Sequence, residues 1–164
     1  MPPRSSSRVP PSADVRNLTS RSAEATRELA GRLAVAAQPG DLVALIGDLG
    51  AGKTQFAKGF AAGLGVTATV NSPSFVLMAE YVGRLPLFHL DLYRLADGAE
   101  AFDSGLLDER ESEGVTLIEW AERLGSALPA DRLEVRIDGT GDEPRAIDLI
   151  AGSERQRRYL EAVS

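Results

Sequence analysis

The run Asp41-Leu-Val-Ala-Leu-Ile46, continued by Gly47-Asp-Leu-Gly-Ala-Gly-Lys-Thr54 and then by Gln55 to Gly65, decides how this chain folds. Residues 42–46 are continuously apolar and too short for a helix, the pattern of a strand buried on both faces of a sheet. Glycines at 47, 50 and 52 break that strand, and a helical segment follows from Lys53 to about Leu64, ending at Gly65. The order is strand, glycine loop, helix. In that order the spacing G-x-x-x-x-G-K-[ST] has a mechanical meaning. Glycines let the backbone curl so that successive N–H groups face phosphate oxygens, and the helix N-terminus adds partial positive charge. Lys53 would reach the β- and γ-phosphates, and the Thr54 hydroxyl would hold the magnesium that bridges them. The candidate nucleotide-binding residues are therefore Asp48, Leu49, Gly50, Ala51, Gly52, Lys53, Thr54 and Gln55.

Composition sharpens the motif. The chain has 164 residues, enough for one ordinary domain, with 18 basic and 24 acidic side chains and a net charge of −6. Of the basic residues only Lys53 and Lys58 are lysine, so the loop pattern has a chance expectation of roughly 0.002 matches. The negative balance offers no general attraction to nucleic acid phosphates, so direct, stable tRNA binding is not expected. No cysteine and a single histidine, His89, exclude disulfides, thiolate zinc sites and multi-histidine metal sites. No apolar run approaches the ~20 residues of a membrane helix, and the first residues lack the apolar core of a signal peptide; the expected compartment is the cytoplasm.

Working outward, residues 1–14 hold four prolines and four serines and are expected to form a flexible leader, with 15–164 a single domain. Val15 to Thr19 reads as a short strand, and Ser20 as the N-cap of a helix to about Ala37. Residues 75–81 and 85–93 read as a hairpin, with Pro86 tolerable only at an edge or a strand start. At a period of two, Phe88, Leu90 and Leu92 share one face of the second strand, and His89, Asp91 and Tyr93 the other. Residues 97–122 carry nine carboxylates against Arg110 alone, yet enclose the apolar strand Val115 to Ile118. A second hairpin, 132–138 and 145–150, precedes a last helix from Ser153 to Val163. The fold expected is α/β: a P-loop NTPase with a mixed, mostly parallel sheet flanked by helices.

Glu119 ends its strand where an acidic residue of such folds holds magnesium, directly or through water. Asp91 could orient or deprotonate an attacking water, or belong to a structural network; His89 alone reads as structural. Asn71-Ser-Pro-Ser-Phe75 stands where a loop sensing the γ-phosphate is expected. No lysine follows Lys58, so the guanine-selecting Asn-Lys-x-Asp signature is absent. A compact ATPase, a small-molecule kinase and a nucleotide-gated assembly factor with incidental hydrolysis stay open.

Together, Gly47–Thr54, Asn71–Phe75, His89-Leu-Asp-Leu-Tyr-Arg94 and Ile118-Glu-Trp120 resemble, in order and spacing, the bacterial tRNA threonylcarbamoyladenosine biosynthesis ATPases, the TsaE (YjeE) family, over about residues 15–150. Ser74 departs from the family's more usual threonine but keeps the hydroxyl. The resemblance implies a P-loop ATPase that does not itself modify RNA. Its partners would be a threonylcarbamoyl transferase and a paralogous partner protein, and the base modified would be adenosine 37 of tRNA. It further implies that Thr54 and Glu119 are magnesium ligands, Lys53 the phosphate-binding lysine and Asp91 a residue needed for hydrolysis. Expected catalysis is attack of water on the γ-phosphate of ATP, with Lys53 and Mg2+ stabilising charge, slow without partners.

Overall fold

The computed structural model describes residues 14–47, 52–70, 78–92 and 113–163. The expected leader up to residue 13, Asp48 to Ala51, Asn71 to Phe75, Tyr93, Arg94 and the acidic stretch 97–112 lie outside the described residues.

Among the described residues seven strands form one sheet: β1 (Asp14–Ser20), β2 (Leu42–Ile46), β3 (Met78–Val82), β4 (Pro86–Asp91), β5 (Val115–Glu119), β6 (Leu133–Asp138) and β7 (Arg145–Ala151). Their spatial order is β1-β7-β6-β2-β5-β4-β3. The inner strands β6, β2, β5 and β4 are mutually parallel, and the hairpin partners β7 and β3 run antiparallel to them. The expected mixed sheet with hairpins is thus present. Strand β1 begins at Asp14, the last residue of the expected leader, and pairs with β7 along its length. Pro86 is tolerated on the inner strand β4 because it is the first residue, where the missing N–H costs least.

Helices α1 (Ala23–Ala34), α2 (Lys53–Gly63) and the short α3 (Arg157–Glu161) lie over one face of the sheet. Helix α1 starts later than the sequence suggests. The N-cap is Ser22, whose Oγ accepts from Ala25 N at 3.0 Å. Ser20, the expected cap, ends β1, and its hydroxyl instead bonds Ser22 O at 2.9 Å and Thr26 Oγ1 at 2.6 Å. The last helix is likewise shorter than expected, a 3-10 turn at Glu154–Gln156 leading into α3.

Phe56 and Phe60 of α2, Leu33 of α1, Leu45, Leu87, Leu117 and Val135 build the core under these helices. Each fully buried side chain of this size contributes about 1.5–3 kcal/mol. Helices α1 and α2 touch closely because Gly59 has no side chain: a Cβ there would sit 2.2 Å from the carbonyl oxygen of Arg27. A second, smaller core of Ala44, Phe88, Leu90, Leu92 and Ile118 lies on the opposite face, covered in part by Ala121 and Leu124 of the 3-10 segment Ala121–Ala127. The apolar face read for β4 is therefore this smaller core. Its companion face, carrying His89, looks toward the helices.

Candidate nucleotide site

Helix α2 opens with Gly52 as N-cap at φ +111°, a conformation that excludes side chains even though a Cβ would meet nothing within 4 Å. Gly52 has no side chain with which to cap the helix, and the first turn holds no acidic residue. A helix N-terminus of this kind favours an anion. Lys53 is 5% exposed, donates from Nζ to Gly47 O, and places Nζ 3.9 Å from the centre of the Trp120 ring. The lysine ties the end of β2 to the start of α2. The half-buried Thr54 and Gln55 follow on the first turn.

The carboxyl ends of β4 and β5 lie beside this turn. Glu119 is in register with Leu45 of β2 on one side and with Asp91 of β4 on the other. The two carboxylate residues are cross-strand neighbours, a pairing in which like charges repel and a cation between them is favoured. Glu119 is 3% exposed and His89 fully buried. His89 Nε2–H donates to Glu119 Oε2 at 2.6 Å, while Nδ1 meets no hydrogen-bond partner among the described residues. Trp120, next in the chain, is the one non-glycine residue with positive φ among the described residues (φ 58°). Such strain persists where the surroundings enforce it, commonly at functional sites. The turn it makes brings the indole against the Lys53 amine, with the Arg123 guanidinium 5.9 Å from the ring centre.

Of the residues singled out from sequence, Gly52, Lys53, Thr54, Gln55, Asp91 and Glu119 thus meet at the carboxyl edge of three neighbouring parallel strands; Asp48, Leu49, Gly50 and Ala51 lie outside the described residues. A cleft of about 310 Å³ opens beside this turn, lined by Gly52 and Gln55, by Ser20 to Ala23 and Thr26, and by Gly141, Asp142, Glu143 and Arg145 of the β6–β7 turn. Arg27 Nη1 donates to Gln55 Oε1 at 2.6 Å and orients that amide. Apart from Gly52 and Gln55, these walls were not singled out from sequence, because they come from segments far apart in the chain and carry no spacing signal.

A second polar cluster occupies the other end of β2. Asp41, 1% exposed, accepts at Oδ1 from Arg155 Nε (3.0 Å) and at Oδ2 from Gln38 N (2.9 Å), Arg158 Nη2 and Tyr159 OH. Burial first, then the bond to Asp41, pushes the Tyr159 phenol well above its ordinary range. The arginine-rich tail is thereby a clasp that fastens α3 to the start of β2.

Comparisons agree with this geometry. The model of the family described as "Threonylcarbamoyl adenosine biosynthesis protein TsaE" matches residues 20–147. The tRNA threonylcarbamoyladenosine biosynthesis protein TsaE of Bacillus subtilis is 46% identical over 142 residues, 86% of this chain and 89% of that protein. That of Treponema pallidum is 42% identical over 133 residues, 79% of this chain and 96% of the relative. The crystal structure of Bacillus subtilis YdiB superposes with a TM-score of 0.75 at 39% identity, covering 91% of this chain and 93% of that one. The resemblance carried by the loop, the His89–Arg94 string and Ile118–Trp120 holds along most of the sequence: the chain belongs to the TsaE family, whose relatives are named for tRNA threonylcarbamoyladenosine biosynthesis.

Proposed function

We propose that this protein binds ATP with Mg2+ and hydrolyses it slowly, in support of N6-threonylcarbamoyladenosine formation at position 37 of tRNA by a partner transferase and its paralogue. The observation that carries this reading is the meeting of a helix N-terminus opened by Gly52 and Lys53 with Asp91 and Glu119 set side by side on β4 and β5.

The donor set suits magnesium, a hard cation that takes oxygen ligands, usually one or two from protein with the rest from phosphate and water. Thr54 and Glu119 would hold it. When bound, the ion neutralises charge on the β- and γ-phosphates. Lys53 and the N–H groups at the start of α2 bind the same phosphates and stabilise charge that develops on the γ-phosphoryl oxygens. Asp91 orients a water for in-line attack; the new bond forms from water oxygen to γ-phosphorus as the bond to the β–γ bridging oxygen breaks. The cleft beside Gln55 seats the nucleoside. No described helix is long and apolar enough to cross a membrane, which accords with work in the cytoplasm. The net charge of −6 leaves gripping the tRNA to the partners.

The test is co-purification with the candidate transferase and its paralogue, with and without ATP, coupled to a phosphate-release assay without added acceptor. Nucleotide-dependent association and release stimulated by the partners are expected. No association under either condition overturns the cellular role, and release that requires a small-molecule acceptor replaces the hydrolase with a kinase.

A further inference from the structure

We propose that His89 is a positioning residue for Glu119, holding that carboxylate in the orientation that receives the divalent cation; the proposal rests on the magnesium reading above. His89 lies at an inner position of β4, fully buried on the face shared with Leu87 and Leu117. An imidazole placed there for packing alone would be expected to satisfy both ring nitrogens or give way to an apolar side chain, because a buried polar atom without a partner is costly. Neither holds. Among the described residues Nδ1 has no hydrogen-bond partner, and the polar contact the ring makes there is the 2.6 Å bond from Nε2–H to Glu119 Oε2. The cost at Nδ1 is matched by one gain, the orientation of Glu119.

Glu119 is a residue that needs holding. Its Cα register partner on β4 is Asp91, whose like charge would push a mobile glutamate away from the shared edge. Glutamate also has a longer side chain than aspartate and more rotamers to lose on ordering. With Oε2 engaged by a ring that has no freedom to move, the carboxylate keeps its place beside the loop. Ligand-orienting partners of this kind change metal affinity by about 10–100-fold when removed.

The experiment compares His89→Gln with His89→Met. The two side chains are alike in length and shape, and glutamine carries an N–H donor where Nε2 stood. Mn2+ binding is measured by electron paramagnetic resonance with a non-hydrolysable ATP analogue, analogue affinity is measured in chelator, and melting temperature is recorded for each variant. His89→Met should weaken Mn2+ binding about tenfold or more, with metal-free analogue affinity unchanged within twofold, and His89→Gln should recover most of the loss. Equal Mn2+ affinity in both variants and wild type, whatever the change in melting temperature, overturns the proposal and leaves His89 a packing residue. Equal loss in both also overturns it, because the donor would then not be what matters. Wild-type protein that binds the analogue but no Mn2+ brings down the magnesium reading itself, a separate result.

Discussion

The two ends of β2 carry polar clusters of opposite character. At the amino end Asp41 is buried and accepts four hydrogen bonds, two of them from arginine, so Gln38 N, Arg155, Arg158 and Tyr159 all share it as an acceptor. At the carboxyl end α2 opens on Gly52 at positive φ, Trp120 is held at positive φ, and among the described residues His89 Nδ1 has no hydrogen-bond partner. One strand thus joins a saturated cluster to one that holds backbone strain and an unpartnered ring nitrogen. Saturation is what a structural clasp requires, since an unmade buried bond costs about 1–3 kcal/mol. Backbone strain of the kind found at the other end clusters at functional sites.

Substitutions at the two ends should therefore fail in different ways. The largest effect is expected at the carboxyl end, where Lys53→Ala should abolish detectable ATP binding by calorimetry. Unchanged affinity would break the assignment of this end to phosphate. Asp91→Ala should lower turnover by about 10²–10⁴-fold in phosphate release while ATP affinity stays within a few-fold. Equal loss of both would move Asp91 out of the chemical step.

At the saturated end Asp41→Ala should destabilise the fold by about 3 kcal/mol in urea denaturation, because Arg158 and the buried Tyr159 hydroxyl lose their acceptor. Nucleotide affinity of the folded fraction should not change; a coupled loss would mean that the two ends are not independent. The smallest effect concerns alkaline pH. The Tyr159 phenol titrates higher in the folded state than in the unfolded chain, where it ionises near pH 10. Above about pH 10 the unfolded chain loses this proton while the fold keeps it, so stability falls as pH rises. Tyr159→Phe should be less stable at pH 8 yet decline less steeply between pH 9 and 11; parallel curves would remove Tyr159 as the cause.

The sequence made one end of β2 legible and left the other dark, for a physical reason. The loop motif is local: strand, glycine-rich segment and helix follow within 24 residues of sequence, and Gly52 at φ +111° is a position whose own backbone calls for glycine. Helix boundaries were less legible, since Ser20 and Ser22 are equally good caps and pairing of β1 with β7 through Ser20 decides between them. The clasp joins Asp41 to Arg155 and Tyr159 across 114 and 118 residues. No spacing rule reaches that far.

By itself the sequence determined the chemistry available to this protein: a P-loop motif, two strand-end carboxylates and no thiol, with a family likeness that the comparisons uphold. Only the tertiary structure decided which groups act on one another. Alternation along β4 places His89 and Asp91 on one face, but it takes the parallel register with β5 to set Asp91 beside Glu119 and the histidine ring against its carboxylate. Residue identity is a property of the chain. Adjacency is a property of how strands pair, and pairing is set by burial of both sheet faces at once.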